Sequence, residues 1–314
     1  MNKIKTKVSR ETNYIYHMLS VAKCGYDNDY GRKYASYHSS ADLKILKDNE
    51  THITVAGGEH IGKLYGFFIA APASLDTEAR LFYEAVSHLF KFNNTEDNVK
   101  KYMEIYKNFT DNEEWLLKFL QEIYSEHIDC RESIIAICDV MERNYPVYCN
   151  DIWEESKQEL LPYAKNVEDI FNKNGVSAKL EEITNETLKT DFIATFCNSI
   201  SNGAEAIDIS ENQDVFGIGR DYEWAVIFIS HEYIIYLLKQ ALVNTTAFKN
   251  IKYWRYAECL AEFYLCLING KESGMFKKEQ EVVDFYKETY ENNNALSAQE
   301  LYNKAMKKFE ELTI

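Results

Sequence analysis

The chain has 314 residues, of which 46% are hydrophobic and 14% aromatic, enough apolar material to build one large domain or two ordinary ones. Its formal net charge of -15 works against polyanionic partners, whose phosphates are held by clustered Lys and Arg, so nucleic acid and membrane surfaces are not expected. No run approaches the roughly 18 apolar residues of a membrane span, and the basic start, residues 1–12, is not followed by the apolar run of a signal peptide. Seven cysteines without a C-x-x-C pair read as reduced thiols, and a cytoplasmic protein is the expectation.

In chain order, the first 74 residues mix a helix over 11–24 with a β-like stretch over 51–56 and a glycine turn at Gly57-Gly58. From 76 to 174 apolar residues recur three and four apart, as in Leu81-x-x-x-Ala85-x-x-x-Leu89 and Trp115-Leu116-x-x-Phe119-Leu120-x-x-Ile123, which is the period of amphipathic helices. Asp111 with Glu114 marks a helix start, and Pro146 and Pro162 mark helix boundaries. After Gly175 the pattern changes. Residues 177–183, 191–199, 203–209 and 214–218 are short, rich in Val, Ile, Phe and Thr, and separated by turn residues, so four strands are predicted. Helices return over 222–243, 254–269, 277–292 and 297–311. The expected fold is α+β and mostly helical: a helical region over 1–175, then over 176–314 a small mixed sheet, a motif helix, a glutamate-bearing helix and a C-terminal helical bundle.

The residues richest in chemistry are Ser230-His231-Glu232-Tyr233-Ile234-Ile235, on the helix that follows the predicted strands. In the motif H-E-x-x-H two histidines four apart lie on one helical face and direct imidazole nitrogens at one metal, with the glutamate as general base. His231 and Glu232 supply the first two letters; Ile235 stands where the second histidine belongs and cannot bind zinc. Further on, Glu258 and Glu262 lie one turn apart, and Glu258 falls 27 residues after His231.

This order and spacing resembles the active-site helix pair of zincin-like metallopeptidases of the gluzincin type, with a degenerate motif. The resemblance rests on about a quarter of the chain, and the segment Asp29-Tyr30-Gly31 with the helical middle is also similar to a group of zincin-like proteins carrying a late H-E-F-x-H. It implies that His231 and Glu258 are metal ligands, Glu232 the catalytic base that deprotonates metal-bound water, and Glu262 the acid that supports His231 through its other ring nitrogen. It implies zinc where the ligand set is complete, and no cofactor where it is degenerate. Two substitutes for the missing ligand stand open: Tyr236, turned about 140° from His231 around the helix, and one of His17, His38, His52, His60, His88 and His127. The implied partner is a peptide or small-molecule ligand in a cleft. Impaired hydrolysis and non-catalytic binding or regulation both fit a pseudoenzyme on this scaffold; the oligomeric state is not implied.

The residues also fit a plainer reading, in which Trp224, Ile227, Phe228, His231, Ile235, Leu238 and Leu242 form one apolar helix face and His231 is a hydrogen-bonded core residue. Two other features are read structurally. Gly57-Gly58-Glu59-His60-Ile61-Gly62-Lys63-Leu64 ends in leucine where a phosphate-binding loop needs Ser or Thr, and residues 65–71 read as a strand or buried run, so a turn between strands is expected. Cys259 is expected to pack in the core, away from both acids.

Overall fold

The computed structural model describes residues 4–56, 60–74, 78–92, 113–200, 206–219, 221–270 and 273–310, the side chains of 55–61, 113–117, 119, 120 and 310 excepted. Gly57, Gly58, Glu59 and Asp111, and the side chains of His60, Glu114 and Trp115, lie outside that description. In chain order the elements are β1 (Ile4–Lys7), α1 (Arg10–Val21), α2 (Asp29–Tyr34), α3 (Ser40–Asp48), α4 (Glu50–Ile53), the short strands β2 (Val55–Ala56) and β3 (His60–Ile61), a π-helical turn at Gly66–Ala70 leading into α5 (Ala71–Ser74), and α6 (Ala79–Lys91). There follow α7 (Glu113–His127), α8 (Arg131–Asp151), α9 (Trp153–Lys173), α10 (Val176–Thr184), β4 (Phe192–Cys197), β5 (Ala206–Ser210), β6 (Gln213–Gly217), α11 (Tyr222–Ala241), α12 (Ile251–Asn269), α13 (Gln280–Asn292) and α14 (Ala298–Glu310). The fold is mostly helical α+β, as the periodicity predicts, with a small sheet in the order β1-β4-β6-β5.

Local chemistry sets these boundaries. Ser9, Asn28, Ser39, Asp221 and Asn250 each cap the helix that follows, accepting a hydrogen bond from a backbone N–H three residues on, the orphan donors of a first turn. Ser297 and Glu300 cap each other reciprocally before α14, a capping box. Gly270 ends α12 in the left-handed region at φ 68°, open without strain to a residue lacking Cβ.

Four expectations are corrected. Pro146 and Pro162 sit inside α8 and α9 rather than at their ends. Both prolines lie on exposed helix positions, where water has access to the turn that each leaves one hydrogen bond short. Residues 177–183 are helical: Val176, Ser177, Leu180 and Thr184 are buried, an i, i+1, i+4, i+8 set that one helical face gathers and strict strand alternation would split between two faces. Residues 51–53 belong to α4, and of the run 65–71 residues 66–71 are helical rather than extended. The strands β2 and β3 pair antiparallel with Val55 opposite Ile61; the predicted glycine turn at Gly57-Gly58 lies outside the described residues.

The chain divides into two compact units. One comprises Lys7–Ala164 and Thr195–Gly219, the other Met1–Thr6, Lys165–Ala194 and Arg220–Ile314. In the first, α1 runs through the core with Tyr14, Ile15, Tyr16 and Met18 fully enclosed, and α6 packs on α8. Its β5–β6 hairpin pairs Ile207 with Val215 and carries an irregularity between Asp208 and Ser210. In the second, α11, α12, α13 and α14 form a helical bundle with α10 packed on α11 and α12. All seven cysteines are free thiols, Cys259 among the buried ones. Among the described residues no helix is long and apolar enough to cross a membrane.

Candidate functional site

The long apolar face of α11 draws it against α12, and this pairing brings two predicted site residues together. His231 is buried at 3% exposure, and its Nε2–H donates to Glu258 Oε2 at 3.0 Å. The other oxygen of Glu258 accepts from the indole N–H of Trp254 at 2.7 Å, one helical turn earlier on α12. Both acceptor oxygens of Glu258 are therefore engaged by side chains of the same bundle.

Burial opposes a charge on His231, but the hydrogen bond to Glu258 and the charges of Glu232, Glu258 and Glu262 outweigh it and raise the imidazole pKa above its ordinary value. Burial likewise opposes a charge on Glu258, yet His231, Trp254 and Arg255 hold its carboxyl below the ordinary range. The two directions agree: the contact favours imidazolium and carboxylate over their neutral forms.

Glu262, 2% exposed, turns away from this pair to the segment after α12. It accepts hydrogen bonds from the backbone N–H and the hydroxyl of Ser273, both at 2.7 Å. The Ser273 hydroxyl also accepts from the Met275 N–H, and Gly274 adopts φ 82°, which closes a tight turn. That turn delivers Phe276 onto the imidazole of His231, ring centres 5.5 Å apart and 30° from parallel, with the Arg255 guanidinium 4.7 Å from the Phe276 ring centre. His231 is thus roofed by an aromatic ring, and its Nδ1 has no hydrogen-bond partner.

The remaining predicted residues are placed elsewhere. Ile235 is buried at 4% exposure. Tyr236 rests against Phe192 of β4, ring centres 5.6 Å apart, with the Lys239 ammonium over its ring. Glu232 is partly exposed on α11 and contributes its charge to His231. Among the other histidines, His17 and His38 bond each other, His127 stacks on Phe67, and His88 meets Phe92.

A catalytic zinc ion needs three protein donors around one point. His231 Nε2 and Glu258 Oε2 face each other, but the position of the third donor on α11 is apolar and Glu262 is committed to Ser273. Among the described residues no group of three His, Cys, Asp or Glu side chains is arranged to hold a metal ion. The donors as they stand do not fit a catalytic zinc site. Trp254, Ser273 and Phe276 complete the arrangement without having been expected from sequence; only Trp254 carried a signal, four residues before Glu258 on the same helix face.

No known protein family, curated protein or solved structure matches the chain.

Proposed function

We propose that the protein is a non-catalytic binding or regulatory protein on a zincin-like scaffold, in which an ionic His231–Glu258 contact has taken the place of a metal centre. The observation that carries this reading is the 3.0 Å contact itself, with Trp254 holding the free edge of Glu258 and Phe276 covering His231. In this reading α11 and α12 keep the layout of a ligand-bearing helix pair, while its polar side chains lock the helices to each other. With isoleucine at 235 and Glu262 bonded to Ser273, the donors beside Glu232 fall short of a catalytic set, so peptide hydrolysis is not the expected activity. The partner class that goes with the scaffold is a peptide or small molecule held without cleavage.

Metal analysis of chelator-free protein tests this directly. The expected result is no stoichiometric zinc and no hydrolysis of a mixed peptide library. Stoichiometric zinc that disappears in His231→Ala would overturn the reading in favour of a metallopeptidase. The inherited layout has its own test: Ile235→His should create measurable zinc affinity, and a folded Ile235→His variant that binds none would sink the zincin-like ancestry.

A further inference from the structure

The other unit holds a buried histidine pair whose hydrogen bonds can be assigned a direction from one end to the other. Asp42 accepts from the Arg143 guanidinium at 2.6 Å and from the Asn144 amide nitrogen at 3.0 Å. That amide nitrogen also donates to the Val140 carbonyl, so Asn144 presents its oxygen to His38, whose Nδ1 lies 2.9 Å away. An amide oxygen only accepts, hence His38 Nδ1 carries a proton. A neutral His38 then has a bare Nε2, and this atom lies 2.8 Å from Nε2 of His17. The proton in that contact must belong to His17. His17 in turn offers a bare Nδ1 to the Tyr30 hydroxyl at 2.9 Å. One consistent chain results, Tyr30 to His17 to His38 to Asn144 to Asp42, with each tautomer fixed by its neighbour.

The arrangement leaves little room for a further proton. His38 has none: Nδ1 is already protonated, and a hydrogen on Nε2 would set two N–H groups against each other across 2.8 Å. His17 Nδ1 is the one lone pair whose partner can turn round, because a hydroxyl can rotate from donor to acceptor. The groups facing the pair are Tyr30 and Tyr34 from α2, Tyr148, Arg143 and Asn144 from α8, and Asp42 at the start of α3, while Cys197 and Glu159 act on Tyr30. The carboxylate nearest the chain, Asp42, is already matched by Arg143. Burial and the mutual proximity of the rings keep His17 well below the ordinary imidazole value, and burial keeps His38 below it too.

We propose that His17 and His38 form an acid-sensitive latch: while both are neutral the pair ties Tyr30 of α2 to Asn144 of α8, and a proton entering at His17 Nδ1 reverses the Tyr30 link first. A second proton breaks the contact between the rings. The backbone is built to hold this geometry, since a Cβ on Gly31 would meet the Ser20 carbonyl oxygen at 2.4 Å; only glycine lets α2 approach α1 this closely, beside Tyr30. This latch does not depend on the reading of His231 and Glu258.

The test is imidazole nitrogen NMR on the full chain. At neutral pH the expected result is His17 as the Nε2–H tautomer, His38 as the Nδ1–H tautomer, and a scalar coupling between the two Nε2 atoms. Either ring in the opposite tautomer, or either ring titrating alone with an ordinary imidazole midpoint, overturns the latch. A second readout is the acid dependence of urea unfolding, where the unfolding constant should rise by up to about a hundredfold per pH unit below 6.5, about tenfold for each histidine protonated on unfolding. His38→Gln should cut that slope towards tenfold; an unchanged slope sinks the proposal. Should that variant not fold, Tyr30→Phe serves: it should shift the His17 Nδ1 resonance and leave the His38 tautomer as it was, and an unmoved Nδ1 counts against the latch.

Discussion

Two buried histidine clusters, one in each unit, shift imidazole protonation in opposite directions. His17 meets another imidazole, His231 a carboxylate, and both rings are essentially inaccessible, at 0% and 3% exposure. Burial pushes each towards the neutral form, by the cost of removing a charge from water. At His17 the second ring adds to that push; at His231 the hydrogen bond and three nearby carboxylates reverse it. The difference teaches that the partner, not the depth, sets the charge of a buried imidazole. It also sets the sign of the response to acid.

The largest effect expected from disturbing either cluster is Asn144→Leu. It would strand the His38 Nδ1–H and remove a donor from Asp42 in one step, leaving buried polar groups unsatisfied at a cost of about 3–5 kcal/mol. Urea unfolding measures it, and a loss below about 1 kcal/mol would mean the chain of hydrogen bonds is not continuous through Asn144. Glu258→Leu comes next. His231 would lose its counter-charge but could shed its proton, which limits the cost to about 2–3 kcal/mol. The sharper readout is the His231 titration, which should fall from above the ordinary imidazole value to below it. If it stays above, Glu258 is not what holds the charge.

The comparison predicts opposite pH responses. His17 and His38 have depressed folded-state values, so the unfolded chain binds more protons below 6.5 and stability is lost as pH falls through that range, by about 1–2 kcal/mol over the first unit. His231 has a raised value, so its contribution is fully present below 6.5 and is lost as pH rises through its folded-state value. Stability should therefore be lost on acidification more steeply in His231→Leu than in the wild type, and less steeply in His17→Gln. The reverse order would break the contrast between the clusters.

The helical class, the strands β4, β5 and β6, and the helix pair bearing His231 and Glu258 were legible in the sequence, because long amphipathic periods and cap residues act locally. Residues 177–183 were not: the apolar and β-branched content there suits a strand, and only the joint burial of Val176, Ser177, Leu180 and Thr184 on one side of a helix decides the matter. Pro146 and Pro162 misled because a proline removes one N–H and crowds the carbonyl four residues back, which weakens or kinks a helix without obliging it to end there. Within the site, Ile235 visibly departed from the motif that the helix pair resembles, but nothing local foretold that Glu262 would turn to Ser273 or that Phe276 would cover His231. The His17–His38 pair was illegible as well. It joins residues 21 apart to Asn144, more than a hundred further on, and no local pattern encodes such a contact.

The smallest predicted effect probes the roof over His231. Ser273→Ala removes one of the two hydrogen bonds to Glu262 and the acceptor for the Met275 N–H, while the backbone N–H of residue 273 remains to hold the carboxylate. A cost of about 1 kcal/mol in urea unfolding is expected, the usual worth of a neutral donor to a charged acceptor that keeps a second partner. Because the turn at Gly274 places Phe276, the same substitution should loosen the stacking on His231 and speed exchange of its ring N–H with solvent, with the His17 ring N–H unaffected. Equal acceleration at both histidines would point to a general loss of stability, and the specific tie from Glu262 through Ser273 to the roof would then fail.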